Sequence, residues 1–144
     1  MAEHVLVLGG GLAGVAAALR LGDEGVDVTP VDRNDYHQFQ PLLYQVASSQ
    51  LPVEDIARPH RTIFQGYPSV TVLTADVAAA TLSERRLVLA DGQTLTGSHV
   101  VVAAGARPNF FGVPGAAEHA FPLYSVADAE RLRRHLQQLL QEAM

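Results

Sequence analysis

The first part of the chain passes from a short apolar run to a helical repeat and back to an apolar run. Apolar positions 5–8 predict a strand over 4–8, and positions 12, 15, 16 and 19 have helical spacing, which predicts a helix over 12–21. A glycine in the stretch 22–25 is expected to end that helix. A second strand is predicted over 27–31, ending at Asp32. Pro30 does not suit an interior strand, because proline lacks the N–H that a ladder needs.

The pattern beyond Asp32 predicts shorter elements. A short helix is expected over 42–47 with Pro41 in its first turn, then a helical turn over 53–57 and a third strand over 70–75. Three short strands follow at about 77–82, 86–89 and 93–95, the last two joined by an Asp91-Gly92 turn. They form a small antiparallel meander, which lies in the crossover to a fourth strand over 100–103. Ser125 and Asp128 have the spacing of a capping box for a final amphipathic helix.

These elements predict an α/β fold. We expect a Rossmann-like domain over residues 1–144, with a parallel sheet, covering helices and the antiparallel β-meander in the crossover.

The link between the first strand and the first helix carries the clearest chemical signal. It reads Gly9-Gly10-Gly11-Leu12-Ala13-Gly14, which has the spacing G-x-G-x-x-G. Gly9 permits the tight turn, Gly11 allows a pyrophosphate to approach the backbone, and Gly14 lets the helix lie close to the sheet. Asp32 lies 18 residues after Gly14, near the spacing of about 20 at which a carboxylate binds an adenosine ribose. The loop therefore predicts a dinucleotide site at a helix N-terminus.

Composition removes several other classes of function. The chain has 144 residues, of which 48% are hydrophobic and 17% charged, as in a globular domain. Its net charge of -5 argues against a nucleic-acid partner, and the lack of cysteine excludes disulfides and thiol nucleophiles. No metal site is expected, because His60 and His99 have no partner at ligand spacing. We read no signal or transmembrane segment in the sequence, so the cytoplasm is the expected location.

Four later segments point to one family. They are DRNDYHQFQPLLYQVA, beginning at Asp32, then LPVEDIARPHR, VTVLTADV and AAGARP. In this order they resemble type II NADH dehydrogenases, the single-subunit NADH:quinone oxidoreductases of the pyridine nucleotide-disulfide oxidoreductase superfamily, and FQPLLYQVA is the most specific piece. The resemblance implies FAD as cofactor, with NADH as substrate and quinone as acceptor of the complete enzyme.

The resemblance covers nearly the whole chain but only the first part of such an enzyme. A second glycine loop for NADH, the segment that closes over the flavin and the membrane-associating C-terminal helices are expected to be absent. The chain alone is therefore not expected to catalyse the reaction. Peripheral membrane association is expected only of the complete enzyme.

The resemblance also implies roles for individual residues. The glycine loop holds the FAD pyrophosphate, Asp32 the ribose hydroxyls, Arg33 lies beside the adenine, and the main chain at Val77 meets the adenine. The remaining residues belong to the flavin half or to the strand end that approaches the cofactor. The full set of candidate cofactor-binding residues is Gly9, Gly10, Gly11, Ala13, Gly14, Asp32, Arg33, Gln40, Pro41, Val77, Ala104 and Gly105. No catalytic residue is assigned, because the cofactor carries the chemistry.

Besides the missing later segments, one departure from the family's pattern affects these assignments. The strand end reads AAG where the family usually has a threonine before the glycine, so a hydroxyl contact is lost. In the related disulfide reductases a cysteine pair occupies the helix after strand two, where this chain has Leu42, Leu43, Tyr44 and Gln45. This is consistent with electrons passing from reduced flavin directly to quinone.

Two alternatives stay open. One is a non-catalytic dinucleotide-binding or interaction module, able to form a homodimer through surfaces that further domains would cover. The other is the N-terminal part of another FAD-dependent oxidoreductase, such as a sulfide:quinone reductase, which is disfavoured because those enzymes depend on cysteines. Tyr36, His37, Tyr44 and Gln45 could serve as proton or quinone groups, but a loop histidine is more often a solvated residue.

Overall fold

The computed structural model describes residues 3–143. The strands are β1 (His4–Leu8), β2 (Asp27–Asp32), β3 (Tyr36–Gln38), β4 (Ala57–Pro59), β5 (Leu73–Thr74), β6 (Val77–Thr81), β7 (Arg86–Leu89), β8 (Thr94–Thr96) and β9 (His99–Val102). The helices are α1 (Leu12–Asp23), α2 (Leu43–Ala47), α3 (His60–Ile63), α4 (Ala116–His119) and α5 (Val126–Glu142), with 3₁₀ turns at Gln40–Leu42, Val53–Asp55 and Leu82–Glu84.

Packing divides the chain into two compact units. Unit 1 comprises the chain up to His37 together with Arg58–Gly105, and unit 2 comprises Gln38–Ala57 and the chain from Ala106 onward. Each unit is described by itself below.

Unit 1 is built on a parallel sheet in the order β5-β2-β1-β9, as the predicted fold class requires. Because β1 is central and covered on both faces, its successive side chains enter two different cores. One core lies on the α1 side of the sheet and contains Val5, Val7, Ala18, Val28 and Phe64. The other lies under the antiparallel meander β6-β7-β8 and contains Leu6, Val31, Leu87 and Leu89. The meander therefore covers the face of the sheet opposite α1, and it occupies the predicted crossover between β5 and β9.

The structure explains Pro30, which the sequence left without a reason. Alternate residues of a strand direct their N–H groups to the same side, and the N–H of Val28 donates to Ser69 on the β5 side at 2.9 Å. Position 30 faces that same side. The pairing there consists of an isolated bridge at Val28 and then resumes between Val31 and Leu73. The missing donor of Pro30 falls in this gap, while the β1 side of the strand stays fully paired.

Most element boundaries lie close to the prediction, and the differences have local causes. Helix α1 continues two residues past position 21 to Asp23, and Gly25 follows it with φ of +71°, the left-handed conformation of a glycine cap. Helix α2 begins at Leu43 because Pro41 belongs to the preceding 3₁₀ turn. The predicted third strand shrinks to β5 (Leu73–Thr74). The pair β3-β4 and the single-turn helices α3 and α4 were not predicted, since elements of three or four residues show no period.

Unit 2 contains α2 packed against α5. The predicted capping box is present: Ser125 Oγ accepts from the Asp128 N–H at 3.1 Å, and the Ser125 N–H donates to the Asp128 carboxylate at 3.0 Å. Gln38 and Gln40 both donate to the carbonyl of Tyr124, at 2.9 and 3.0 Å. These bonds fix the start of α5. Across residues 3–143 we find no helix with the length and apolar character needed to span a bilayer.

Candidate functional site

The glycine loop lies at the carboxyl end of β1, and two of its glycines are required by packing. Gly9 has φ of +105°, its N–H donates to Val31 at 2.8 Å, and a Cβ on it would strike the carbonyl oxygen of Ala103. A Cβ on Gly14 would strike the carbonyl oxygen of Gly9. Both positions therefore exclude any side chain, because α1 and the end of β9 approach the loop so closely.

Gly11 differs from these two, because a Cβ placed on it meets no atom within 4 Å. It is the N-cap of α1, its backbone is extended with φ of -76°, and its carbonyl accepts from the Val15 N–H at 2.9 Å. Gly11, Leu12 and Ala13 are exposed. The first N–H groups of a helix have no partner within the helix and carry its positive dipole end. The first turn of α1 has no acidic residue, so the open space in front of it suits an anion.

Asp32, at the end of β2, supports the loop directly. One of its carboxylate oxygens accepts from the Gly10 N–H at 2.6 Å, and the other accepts from the Asn34 N–H at 2.7 Å. A carboxylate has about four lone-pair positions, so two of them remain for a ligand hydroxyl. The side chain that was predicted to bind a ribose therefore also holds the glycine loop in place.

Arg33 and Val77 lie close to the end of β2. Arg33 forms a solvent-exposed ion pair with Asp76, with 3.3 Å between Nε and Oδ1. Asp76 immediately precedes Val77, the first residue of β6, and the Ala75 N–H donates to the Asp32 carbonyl at 2.8 Å. The turn into the meander thus brings Val77 near the adjacent residues Asp32 and Arg33, from which it is far apart in sequence.

The end of β9 completes this group. The Ala103 N–H donates to the Leu8 carbonyl at 2.8 Å, and Ala104 follows beside Gly9, with Gly105 next in the chain. Ten of the twelve candidate residues therefore belong to unit 1. Gln40 and Pro41 belong to the 3₁₀ turn of unit 2, where Gln40 donates to the Tyr124 carbonyl.

Two histidines contact the loop, and sequence reasoning missed both. His60 is 2% exposed, and its Nε2 lies 3.1 Å from the Gly10 carbonyl oxygen; Nδ1 of His37 lies 3.2 Å from the same oxygen. His37 is half-buried and hydrogen-bonded, so its interpretation as a solvated loop residue was wrong. His60 was considered only as a metal ligand. No pattern in the sequence marks it, because α3 is a single turn.

The described part of the chain, residues 3–143, contains no cluster of three or more histidine and acidic side chains that could hold a metal ion.

The parallel sheet, the glycine loop at its carboxyl edge and the acidic residue at the end of β2 define a Rossmann-like α/β fold. Comparison with known proteins makes this more specific. Residues 3–143 match the pyridine nucleotide-disulphide oxidoreductases, and the chain belongs to that family.

Individual relatives agree with this assignment. The type II NADH:quinone oxidoreductase NdhA of Mycobacterium tuberculosis is 37% identical over 134 residues, which cover 91% of this chain and 28% of NdhA. NDH2 from Plasmodium falciparum, solved in complex with NADH, has a TM-score of 0.86 and 21% identity, covering 99% of this chain and 30% of NDH2. The sulfide:quinone oxidoreductase of Aquifex aeolicus has a TM-score of 0.87 and 22% identity, covering 97% of this chain and 33% of that enzyme.

At these identities the two solved structures establish the fold alone. The chain spans 28% of the length of the curated relative NdhA.

Proposed function

We propose that this chain is the FAD-binding part of an NADH:quinone oxidoreductase. The observation that carries the proposal is the open space at Gly11, in front of the N-terminus of α1, in a chain 37% identical to a type II NADH:quinone oxidoreductase. At Gly9 and Gly14 a Cβ would strike protein atoms, whereas a Cβ on Gly11 would meet no atom within 4 Å. Packing therefore does not explain why Gly11 has no side chain, and a ligand that approaches the backbone does.

The residues present fit the chemistry of such a ligand. Helix N–H groups and a loop without side chains suit a pyrophosphate, so the loop of Gly9, Gly10, Gly11, Ala13 and Gly14 is proposed to hold that part of FAD. Gly9 and Gly10 would shape the loop rather than donate to the phosphates, because their own N–H groups donate to Val31 and Asp32. Asp32 would accept from the adenosine ribose, with Arg33 and Val77 beside the adenine. Ala104 and Gly105 would approach the cofactor at the end of β9. Gln40 and Pro41 are proposed to border the flavin on the family resemblance only.

The chemistry that FAD supplies when bound is acceptance of a hydride from NADH and delivery of electrons to a quinone. The residues of this chain bind and orient the cofactor. The sequence contains one G-x-G-x-x-G loop, so we propose no NADH site within residues 1–144. Cofactor binding, rather than turnover, is therefore the property proposed for this chain.

The visible spectrum tests this proposal. The purified chain, incubated with FAD and freed of excess cofactor, is expected to show a flavin band at about one FAD per chain, because the loop and Asp32 retain the adenosine diphosphate half. FAD and ADP are both expected to raise the melting temperature, since each binds the folded state. A colourless protein whose melting is unchanged by FAD, ADP and NADH would contradict the proposal.

A second candidate function is a dinucleotide-binding module without turnover that associates with another apolar surface. Two neighbouring side chains of unit 2 favour it, because Phe111 is 86% and Val113 60% exposed. The flavin-loaded chain separates the two candidates when it is mixed with the remaining part of a related enzyme and with NADH. Reduction of the flavin favours the oxidoreductase part, and a flavin that stays oxidised favours the module.

Asp32→Ala is expected to weaken ADP binding about 10- to 100-fold, as loss of bonds to a charged group costs about 1.5–3 kcal/mol. Because Asp32 also holds Gly10, the ribose contact needs its own readout. Wild-type protein is expected to prefer ADP over 2′-deoxy-ADP, and Asp32→Ala to lose that preference in calorimetric titrations. Asp76→Ala, which removes a nearby exposed carboxylate, serves as control and should keep it. An unchanged preference in Asp32→Ala would show that the ribose lies elsewhere.

A further inference from the structure

The peptide group of Gly10 is held from both sides. Its N–H donates to Asp32, and its carbonyl oxygen lies 3.1 Å from His60 Nε2 and 3.2 Å from His37 Nδ1. A carbonyl oxygen can only accept, so both of these ring nitrogens carry a hydrogen. The two imidazoles therefore use both lone pairs of one oxygen, and this fixes the ring nitrogen through which each histidine donates.

His60 is held firmly enough to act as a support. Its backbone N–H donates to the Asp35 carbonyl at 2.9 Å, and its ring centroid lies 6.3 Å from that of Phe64. A Cβ on Gly10 would lie 2.5 Å from Cε1 and 2.6 Å from Nε2 of this ring. The imidazole thus occupies the space that a side chain at position 10 would need. The His60 ring accounts for the lack of a side chain at position 10, whereas the proposed ligand accounts for it at position 11.

The direction of the next N–H follows from peptide geometry. No described peptide bond is cis, so the Gly10 C=O and the Gly11 N–H point in opposite directions across one planar group. The carbonyl is directed at the buried His60 ring. The Gly11 N–H is therefore directed away from the interior, on the exposed side of the loop where a Cβ on Gly11 would meet no atom within 4 Å.

We infer that His60, together with His37, is a positioning residue that aims the Gly11 N–H at the phosphate of the bound nucleotide. This inference rests on the proposed function, because it needs a phosphate at the glycine loop. Without the two donors the Gly10–Gly11 peptide could rotate and direct its carbonyl oxygen towards the phosphate. Such a rotation replaces a hydrogen bond by repulsion between two electronegative groups.

The test compares His60→Gln with His60→Met. The two side chains have similar length and volume, but only glutamine places an N–H donor near the position of Nε2. His60→Met is expected to bind ADP roughly 10-fold or more weakly, as loss of one bond to a charged group implies, and to bind adenosine within about 2-fold of wild type. His60→Gln is expected to recover most of the ADP affinity. Equal ADP affinity in wild type and His60→Met, or no recovery in His60→Gln, would overturn the inference.

A ligand-free readout separates this inference from the proposed function. In ¹H–¹⁵N spectra the Gly11 amide signal is expected to move in His60→Met and to return in His60→Gln, and the His60 ring is expected to carry its hydrogen on Nε2. If wild-type protein fails to bind ADP, the proposed function is wrong; a Gly11 signal that stays in place in His60→Met then overturns the positioning role as well.

His37 provides a second pair should His60→Met fail to fold. His37→Asn keeps a donor near Nδ1 and His37→Leu removes it, at a half-buried position. A selective loss of ADP affinity in His37→Leu, absent in His37→Asn, supports the inference, and identical affinities in the two variants contradict it.

Discussion

Gly11→Val will abolish measurable binding of FAD and ADP while the chain keeps its fold. The backbone of Gly11 is extended, with φ of -76° and ψ of -164°, a conformation that valine adopts readily. The new side chain meets no protein atom at its Cβ, so the folded state loses only the N-cap preference, about 1 kcal/mol. In the proposed complex the same Cβ would stand where the pyrophosphate approaches the backbone. We expect an affinity loss of roughly 100-fold or more by calorimetry, because steric exclusion at this position displaces the ligand from several N–H donors at once.

Gly66→Val is the matched control for this variant. Gly66 is another exposed glycine at which a Cβ would meet no atom within 4 Å, and its φ is not in the left-handed region. The Gly66→Val variant should therefore retain both the fold and the ADP affinity of the wild-type chain. If Gly11→Val binds ADP as wild type does, the glycine loop is not the phosphate site.

Gly14→Ala is expected to lower the stability of the fold strongly, whereas Gly11→Val is expected to lower ligand affinity and leave the fold intact. Gly14 is buried, and the added Cβ would overlap the carbonyl oxygen of Gly9, which is main chain and cannot rotate away. Helix α1 must move away from the loop. Overpacking of this kind costs about 3 kcal/mol, a large part of the roughly 5–15 kcal/mol by which a domain is stable. For a domain of this size we expect the melting temperature to fall by about 10 °C.

The control for Gly14→Ala is Gly11→Ala, the same change three residues earlier in the same motif. Because its Cβ enters open space, it should lower the free energy of unfolding by no more than about 1 kcal/mol. Urea titration of both variants measures the two costs. Equal costs at the two positions would contradict the division of the motif into packing glycines and a ligand glycine.

Family membership was predictable from the sequence, because several specific segments occur in the family's order, and the match over residues 3–143 confirms it. The individual cofactor contacts stay predictions. Asp32 shows why: its spacing from the glycine loop indicated a ribose contact, but spacing cannot reveal that the same carboxylate accepts from Gly10. A side chain with several acceptor positions can serve the ligand and the loop together.

The sequence by itself determined the strands of the parallel sheet, helix α1, the three-stranded meander, the glycine loop and the Ser125 capping box. These features depend on periodicity and turn chemistry between residues that are close in the chain. Only the tertiary structure decided why Pro30 is tolerated, since that depends on where the β5 ladder is interrupted. It alone also placed His37 and His60 against Gly10, from 27 and 50 residues away. Contacts at such separations are set by packing of the whole unit, which leaves no local pattern in the sequence.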